Sequence, residues 1–251
     1  MIFAPKGAII YYGSKQRIKD TALKFMKYTN VCEGIFIERP NRFIAYVNVD
    51  GEKRICHVKN TGRCRELLIS GARVILEHCP AEGRKTEYDL IAVYKGDTLI
   101  NIDSQAPNKA FGEWVSDCGH FGELTLIRPE RTFGNSRFDF YLETAEKRIF
   151  VEVKGVTLER NGIYLFPDAP TERGAKHLSE LAAAIEAGYD AYVFFVIQAN
   201  DCKYFTPNGE TDPAFAKALR RAAERGVKVC AVTCDVAPDG MKITDHTEVR
   251  L

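Results

Sequence analysis

Asp139, Glu152 and Lys154 are residues whose types and spacing could do chemistry together. They fall in Ser136–Lys154, SRFDFYLETAEKRIFVEVK, where two alternating apolar runs, Arg137–Leu142 and Arg148–Val153, flank the polar stretch Glu143–Lys147. Such a pattern predicts an antiparallel hairpin. On its second strand Glu152 and Lys154 share one face, and Val151 and Val153 take the other. On its first strand Asp139 sits between Phe138 and Phe140 and leaves the face that those aromatics bury. Charged groups beside a core lose solvation and need partners. Two carboxylates close together favour a divalent cation, and a lysine beside them can position or deprotonate a water. The alternative is a solvated Glu152–Lys154 pair on an edge strand, with Asp139 closing a surface salt bridge, since exposed pairs of that kind are common and weak. The apolar flanks favour the site. So does the sequel, in which Gly155 ends the strand and a second hairpin turns at Asn161-Gly162.

The elements that must position these residues lie on both sides. Lys109–Val115 has helical periodicity in Ala110, Phe111, Trp114 and Val115, and Leu124–Phe133 reads as the first core strand. Glu113 on that helix is either a further acidic ligand or part of its wet face, and the wet face is preferred. After the hairpin, Asp168 or Thr171 can cap a helix over Glu172–Ala187 that Gly188 ends. Leu178, Leu181, Ala182 and Ile185 form its apolar stripe, while Arg173, Lys176, His177 and Glu180 form another. Arg173 and Lys176 stand where a helix N-terminus could help them hold a phosphate. His177 reads as hydrogen-bonded structure. Ala191–Val196 is a buried strand expected to run parallel to its predecessor. A helix from Asp212-Pro213 to Gly226 and a strand at Val227–Thr233 follow.

The amino-terminal part has a different texture. Tyr11–Lys27 has mild helical patterning and reads as an extension. From Gly34, short strands follow: Gly34–Val49, bent or split at Pro40-Asn41, then a turn at Asp50-Gly51, a return over Lys53–Val58, and Arg73–Cys79. Asn60-Thr61-Gly62 is a tight turn leading into a helical segment, Arg63–Ile69. Short, bent strands broken by one small helix suggest a partly open barrel of the OB type. Ile35–Arg65 holds seven basic residues against three acids, with Phe36, Phe43 and Tyr46 interleaved. Surfaces of that kind track phosphates and stack bases, although the aromatics also read as core. Arg42 and Arg63, beside turns, are the stronger phosphate candidates. A further hairpin spans 86–103, and sequence does not say which domain owns it. The division expected is 1–82 for extension and barrel, and 83–251 for the second domain.

The ordered set D…E-V-K, between one helix and another, resembles the PD-(D/E)xK nuclease-like core. More specifically, SRFDF, EVKGVTL and FPDAPTERGAKHLSEL resemble the sugar fermentation stimulation protein A (SfsA) family, as do RPNRF, HVKNTGR, RKTEYDL and IDSQAPN upstream. The resemblance runs from about Arg39 to about Cys234. It implies an α/β protein with a small all-β domain: an N-terminal OB-like barrel, then a PD-(D/E)xK-like mixed sheet flanked by helices. It also implies DNA binding and an association with sugar-utilisation genes; with no helix-turn-helix or zinc finger visible, that binding is expected to rest on phosphate contacts and not on base readout. By fold it implies a metal-dependent nuclease site, with Mg²⁺ or Mn²⁺ held by Asp139, Glu152 and the Val153 carbonyl while Lys154 activates water. Two classes stay open: a DNA-binding regulator whose site is vestigial, and an active nuclease on DNA or RNA.

Composition narrows the field. The 251 residues carry a formal charge of only +1, so nucleic-acid affinity must come from a local patch. No run approaches the roughly 18 apolar residues of a membrane helix, and no signal peptide is evident, so a cytoplasmic location is expected. Eight cysteines without a C-x-x-C read as reduced residues, not as a zinc site. No glycine-rich phosphate loop, nucleophile elbow or ligand-spaced histidines point to a small-molecule enzyme.

Overall fold

The computed structural model describes residues 26–60 and 62–251. Most of the expected extension lies outside that range, as does Thr61. The strand β1, Met26–Lys27, pairs with the far end of the chain, as described below. Six strands then build the first sheet: β2 (Val31–Glu38), β3 (Ile44–Val49), β4 (Glu52–Val58), β5 (Arg73–His78), β6 (Tyr88–Lys95) and β7 (Thr98–Asn101). Their order is β4-β3-β2-β5-β6-β7, and Cys56–Val58 of β4 runs parallel to Tyr88–Leu90 of β6, which closes five strands into a barrel. The tight β3–β4 turn needs two left-handed residues, supplied by Asp50 (φ 52°) and Gly51 (φ 87°).

Two expectations change here. Hairpin 86–103 belongs to the barrel, since β6 is the strand that closes it, so a boundary at 82/83 would cut the sheet. The segment Arg63–Ile69 is a turn, not a helix. Cys64 takes a left-handed φ of 44° that breaks helical winding.

The second domain opens with α1 (Ala106–Trp114) and continues through β8 (Leu126–Phe133), β9 (Ser136–Glu143), β10 (Arg148–Val156), β11 (Leu158–Arg160), β12 (Ile163–Phe166) and α2 (Glu172–Glu186). It ends with β13 (Asp190–Ile197), β14 (Tyr204–Pro207), α3 (Pro213–Glu224), β15 (Lys228–Ala237) and β16 (Gly240–Thr247). A mixed seven-stranded sheet runs β1-β16-β15-β13-β10-β9-β8, with β13 parallel to both β10 and β15. Strand β16, whose polar alternation gave little signal, carries β1 at its edge. Alternation along β10 divides the core. Ile149, Val151 and Val153 pack with Ala110 and Phe111 of α1, whereas Phe150 and Val156 pack with Leu178 and Leu181 of α2. Helices thus cover both faces of the sheet.

Gly155 does not end its strand. β10 passes through it to Val156 because α1 and β13 press on that point: a Cβ there would stand 2.7 Å from Pro107 and 2.5 Å from the Gln198 amide oxygen. A buried polar network joins the two domains at the same level. Lys59 pairs with Asp103 at 2.7 Å, and Asp103 is fully buried. Tyr28 donates to Asp103, Asn101 donates to Tyr28, and Gln198 donates to both Asn101 and the Asp103 carbonyl. No described helix is long and apolar enough to cross a membrane. All eight cysteines are free.

Candidate active site

The hairpin β9–β10 forms as expected, and its irregularity makes the site. Main-chain pairing between the two strands stops at Phe140–Val151, and the β8–β9 ladder lacks the rung at Glu130–Asp139, where Glu130 takes a φ of 55°. Such a local break re-aims side chains. Phe138 packs on Phe150, on the α2 face, while Phe140 packs on Phe111, on the α1 face. In a regular strand they would share a face, as the sequence implied. Asp139 sits at the switch and turns into the gap between the strands. Its Oδ2 accepts the Val153 amide at 2.8 Å, and its Oδ1 accepts the Asn108 side-chain amide at 2.8 Å.

Glu152 is 2 % exposed, so the solvated-pair alternative fails for it. Its Oε1 accepts from Lys154 Nζ at 2.5 Å and faces His177 Nδ1 at 2.5 Å, while its Oε2 is buried with no hydrogen-bond partner among the described residues. Lys154 pairs with Glu152, and no ion pair joins it to Asp139. Arg173 Nε donates to His177 Nε2 at 3.3 Å. Sequence reasoning set His177 aside. It lies on the polar stripe of α2 but is 5 % exposed, because that part of the stripe faces β10. Only a glutamate two residues from a lysine on a facing strand could have signalled it. Asn108, on α1, was missed because only the re-aimed Asp139 brings a carboxylate to it.

Burial and the Glu152 charge push the Asp139 carboxyl above the ordinary aspartate value, against the pull of the Val153 amide, Lys154 and Asn108. Burial pushes Glu152 upward too, but the His177 hydrogen bond and the Lys154 ammonium prevail and hold it below the ordinary glutamate value. Two carboxylates close enough to repel, one with an orphaned buried oxygen, are hard oxygen donors that fit a divalent cation. Val153 meets Asp139 through its amide.

A cleft of about 1010 Å³ separates the barrel from the second domain and reaches Gly155 and Thr171; Asp139, Glu152 and Lys154 do not line it, and Gly155 is the nearest of its lining residues along β10. Arg42, Arg63 and Arg65 line it, all exposed, and none has an ion-pair partner among the described residues. Arg39 instead donates to the carbonyls of Arg42, Asn60, Gly62 and Arg63, which shapes the loops that carry them. Asp168 does not cap α2. Thr171 does, through Gly174, and Asp168 accepts the Arg63 amide at 2.7 Å across the cleft. Lys176 is half exposed beside the Asn135 carbonyl and Glu180. Of the interleaved aromatics Phe36 is core, while Phe43 is 52 % exposed. Elsewhere, Glu77, Cys79 and Asp89 lie close enough together to ligate a metal, but the Arg84 guanidinium already holds both Cys79 Sγ and Asp89.

Comparison with known proteins gives a consistent picture. The family model for the SfsA N-terminal OB domain matches residues 37–102, and that for the sugar fermentation stimulation protein RE domain matches 105–240. The chain is 60 % identical over 226 residues to a sugar fermentation stimulation protein homolog of Desulfitobacterium hafniense, covering 90 % of this chain and 99 % of that one. A homolog from Clostridium beijerinckii is 55 % identical over 226 residues, covering 90 % and 100 %. The fold is similar to that of Pyrococcus furiosus SfsA in complex with Ca²⁺, with a TM-score of 0.82 and 27 % identity over 92 % of this chain and 100 % of that one.

Proposed function

The chain belongs to the sugar fermentation stimulation protein (SfsA) family, and we propose that it binds nucleic acid along the interdomain cleft and hydrolyses a phosphodiester at Asp139, Glu152 and Lys154. The observation that carries the reading is the buried, unpartnered Oε2 of Glu152 beside a second carboxylate. Leaving a buried charged oxygen unpaired is costly unless a ligand completes it. Asp139, Glu152 and the Val153 carbonyl would hold Mg²⁺ or Mn²⁺. When bound, such an ion supplies Lewis-acid polarisation of the phosphodiester. The Ca²⁺ bound by the Pyrococcus furiosus relative, an oxygen-seeking cation, supports this choice.

The chain's own groups divide the rest of the work. Lys154, anchored on Glu152, positions an attacking water. Arg42, Arg63 and Arg65 carry unpaired charge to the phosphates, with Lys176 beyond the site. No helix-turn-helix or zinc finger among the described elements offers a base-reading helix, so binding is expected to be indifferent to sequence. DNA is the expected polymer, and RNA the other. A protein with such properties in the cytoplasm can influence sugar-utilisation genes without an operator of its own.

The test is incubation with single-stranded, duplex, flapped and RNA substrates, with and without Mg²⁺ or Mn²⁺. Cleavage that needs the ion and disappears in Glu152→Ala and Lys154→Ala supports the proposal. No cleavage by wild type across the panel, or equal cleavage by Glu152→Ala, overturns the nuclease and leaves the binding protein.

A further inference from the structure

We infer that Arg173 and His177 form a positioning relay that decides which oxygen of Glu152 is offered to a cation. This rests on the metal-dependent reading of the site and extends it to residues on α2. Arg173 Nε always carries a proton and points at His177 Nε2 from 3.3 Å. The imidazole must therefore present a lone pair at Nε2, so its proton lies on Nδ1 and is given to Glu152 Oε1 at 2.5 Å. A histidine with the opposite tautomer would put a bare nitrogen against the carboxylate. The arginine thus fixes the tautomer, and the tautomer fixes the carboxylate.

The second donor on Oε1 comes from the other side. Lys154 Nζ reaches the same oxygen at 2.5 Å, so both donors converge on one end of the carboxylate. Oε2, in the same buried group, receives none. The arrangement is built for a carboxylate that binds through Oε2 alone, its other oxygen being saturated. The Phe138 ring, edge-on to His177 with centroids 6.0 Å apart, hinders the imidazole from turning away. Thr171 caps the helix that carries both relay residues, so their height over β10 is set by the first turn of α2. Support of this kind behind a ligand usually alters metal affinity by 10- to 100-fold when removed.

The relay gives Arg173 a role besides the expected phosphate contact. Its Nε is spent on His177, while the residue is exposed and its terminal nitrogens have no partner among the described residues, so both roles are compatible.

The experiment is Mn²⁺ titration of the free protein, followed by the electron paramagnetic resonance of unbound Mn²⁺, for wild type, Glu152→Ala, His177→Ala, His177→Asn and Arg173→Ala. Thermal melts of each in chelator verify folding. His177→Ala should bind Mn²⁺ at least tenfold more weakly, and His177→Asn, whose amide can donate to Oε1, should recover most of that loss. Arg173→Ala should weaken Mn²⁺ binding whether or not it also changes the salt dependence of DNA binding in chelator. Wild-type Mn²⁺ affinity in folded His177→Ala, or a salt slope reduced by about one in Arg173→Ala with Mn²⁺ affinity intact, overturns the relay. Failure of the underlying reading looks different: wild type and Glu152→Ala would then bind Mn²⁺ equally or not at all.

Discussion

Asp139 Oδ2 accepts the Val153 amide at 2.8 Å, so a side chain takes over where the main chains of β9 and β10 cease to pair after Phe140–Val151. The carboxylate is therefore fixed whether or not a cation is present, while burial and Glu152 oppose its ionisation. An acid raised in the folded state favours folding below its unfolded pKa and loses that contribution as the pH rises through the folded one. At neutral pH an ionised Asp139 thus costs stability. Asp139→Asn removes the charge and can keep both hydrogen bonds if the Asn108 amide turns over. In chelator the variant is expected to melt at or above wild type. Added Mn²⁺ should raise the wild-type melting temperature and leave the variant unmoved. A wild type indifferent to Mn²⁺, with a lower-melting variant, would refute the shared site.

Arg63 offers a separate test, because its main chain and side chain have different duties. Its amide bonds Asp168, and its guanidinium is unpaired among the described residues. Arg63→Ala keeps the first and deletes the second. The slope of log K against log salt for DNA binding should flatten by about one, and Arg42→Ala and Arg65→Ala should each do likewise. An unchanged slope takes that residue off the interface.

Phe43 follows Arg42 on the barrel rim and has no ring partner among the described residues. Its ring is exposed but stands outside the lining of the interdomain cleft, and under the proposed reading it is a candidate to stack an unpaired base at the cleft's margin. Phe43→Ala should weaken single-strand binding by about 1–3 kcal/mol and duplex binding much less. In Phe43→Trp, the emission in excess of the single native Trp114 should be quenched by an oligothymidylate but not by a blunt duplex.

Arg39 predicts a purely structural effect. It donates to four carbonyls from two loops, and its removal strands the two partly buried ones, of Asn60 and Gly62, while water can reach the other two. Arg39→Ala should lower stability by roughly 2–3 kcal/mol in urea unfolding, since hydrogen bonds to a charged donor are the strong ones. Arg42→Ala, exposed on the same loop, should change it by less than about 0.5 kcal/mol. Similar losses in both would mean that the loop is not organised by Arg39.

The hairpin was legible because period-two alternation and a polar turn are local signals, and three charges among valines and phenylalanines stand out against them. The break at Asp139 was not, because it depends on Glu130 of another strand taking a left-handed φ. His177 was visible as a residue but not as a contact, since helical periodicity places it with Arg173 and Lys176 and is silent about which strand passes beneath. The barrel's extent was misjudged because β6 closes onto β4, a pairing across thirty residues that no local pattern encodes. The turn at Arg63–Ile69 has helix-forming residues, and it took Cys64 and the reach of Arg39 to unwind it.

The buried link through Lys59 and Asp103 bears on how any polymer gets in. Lys59 and Asp103 both lie on the barrel side, and prising the barrel from the sheet would strip Gln198 from Asn101 and from the Asp103 carbonyl. The width of the cleft is therefore set in part by this link, and under the proposed reading a polymer would meet walls whose spacing is fixed before it arrives.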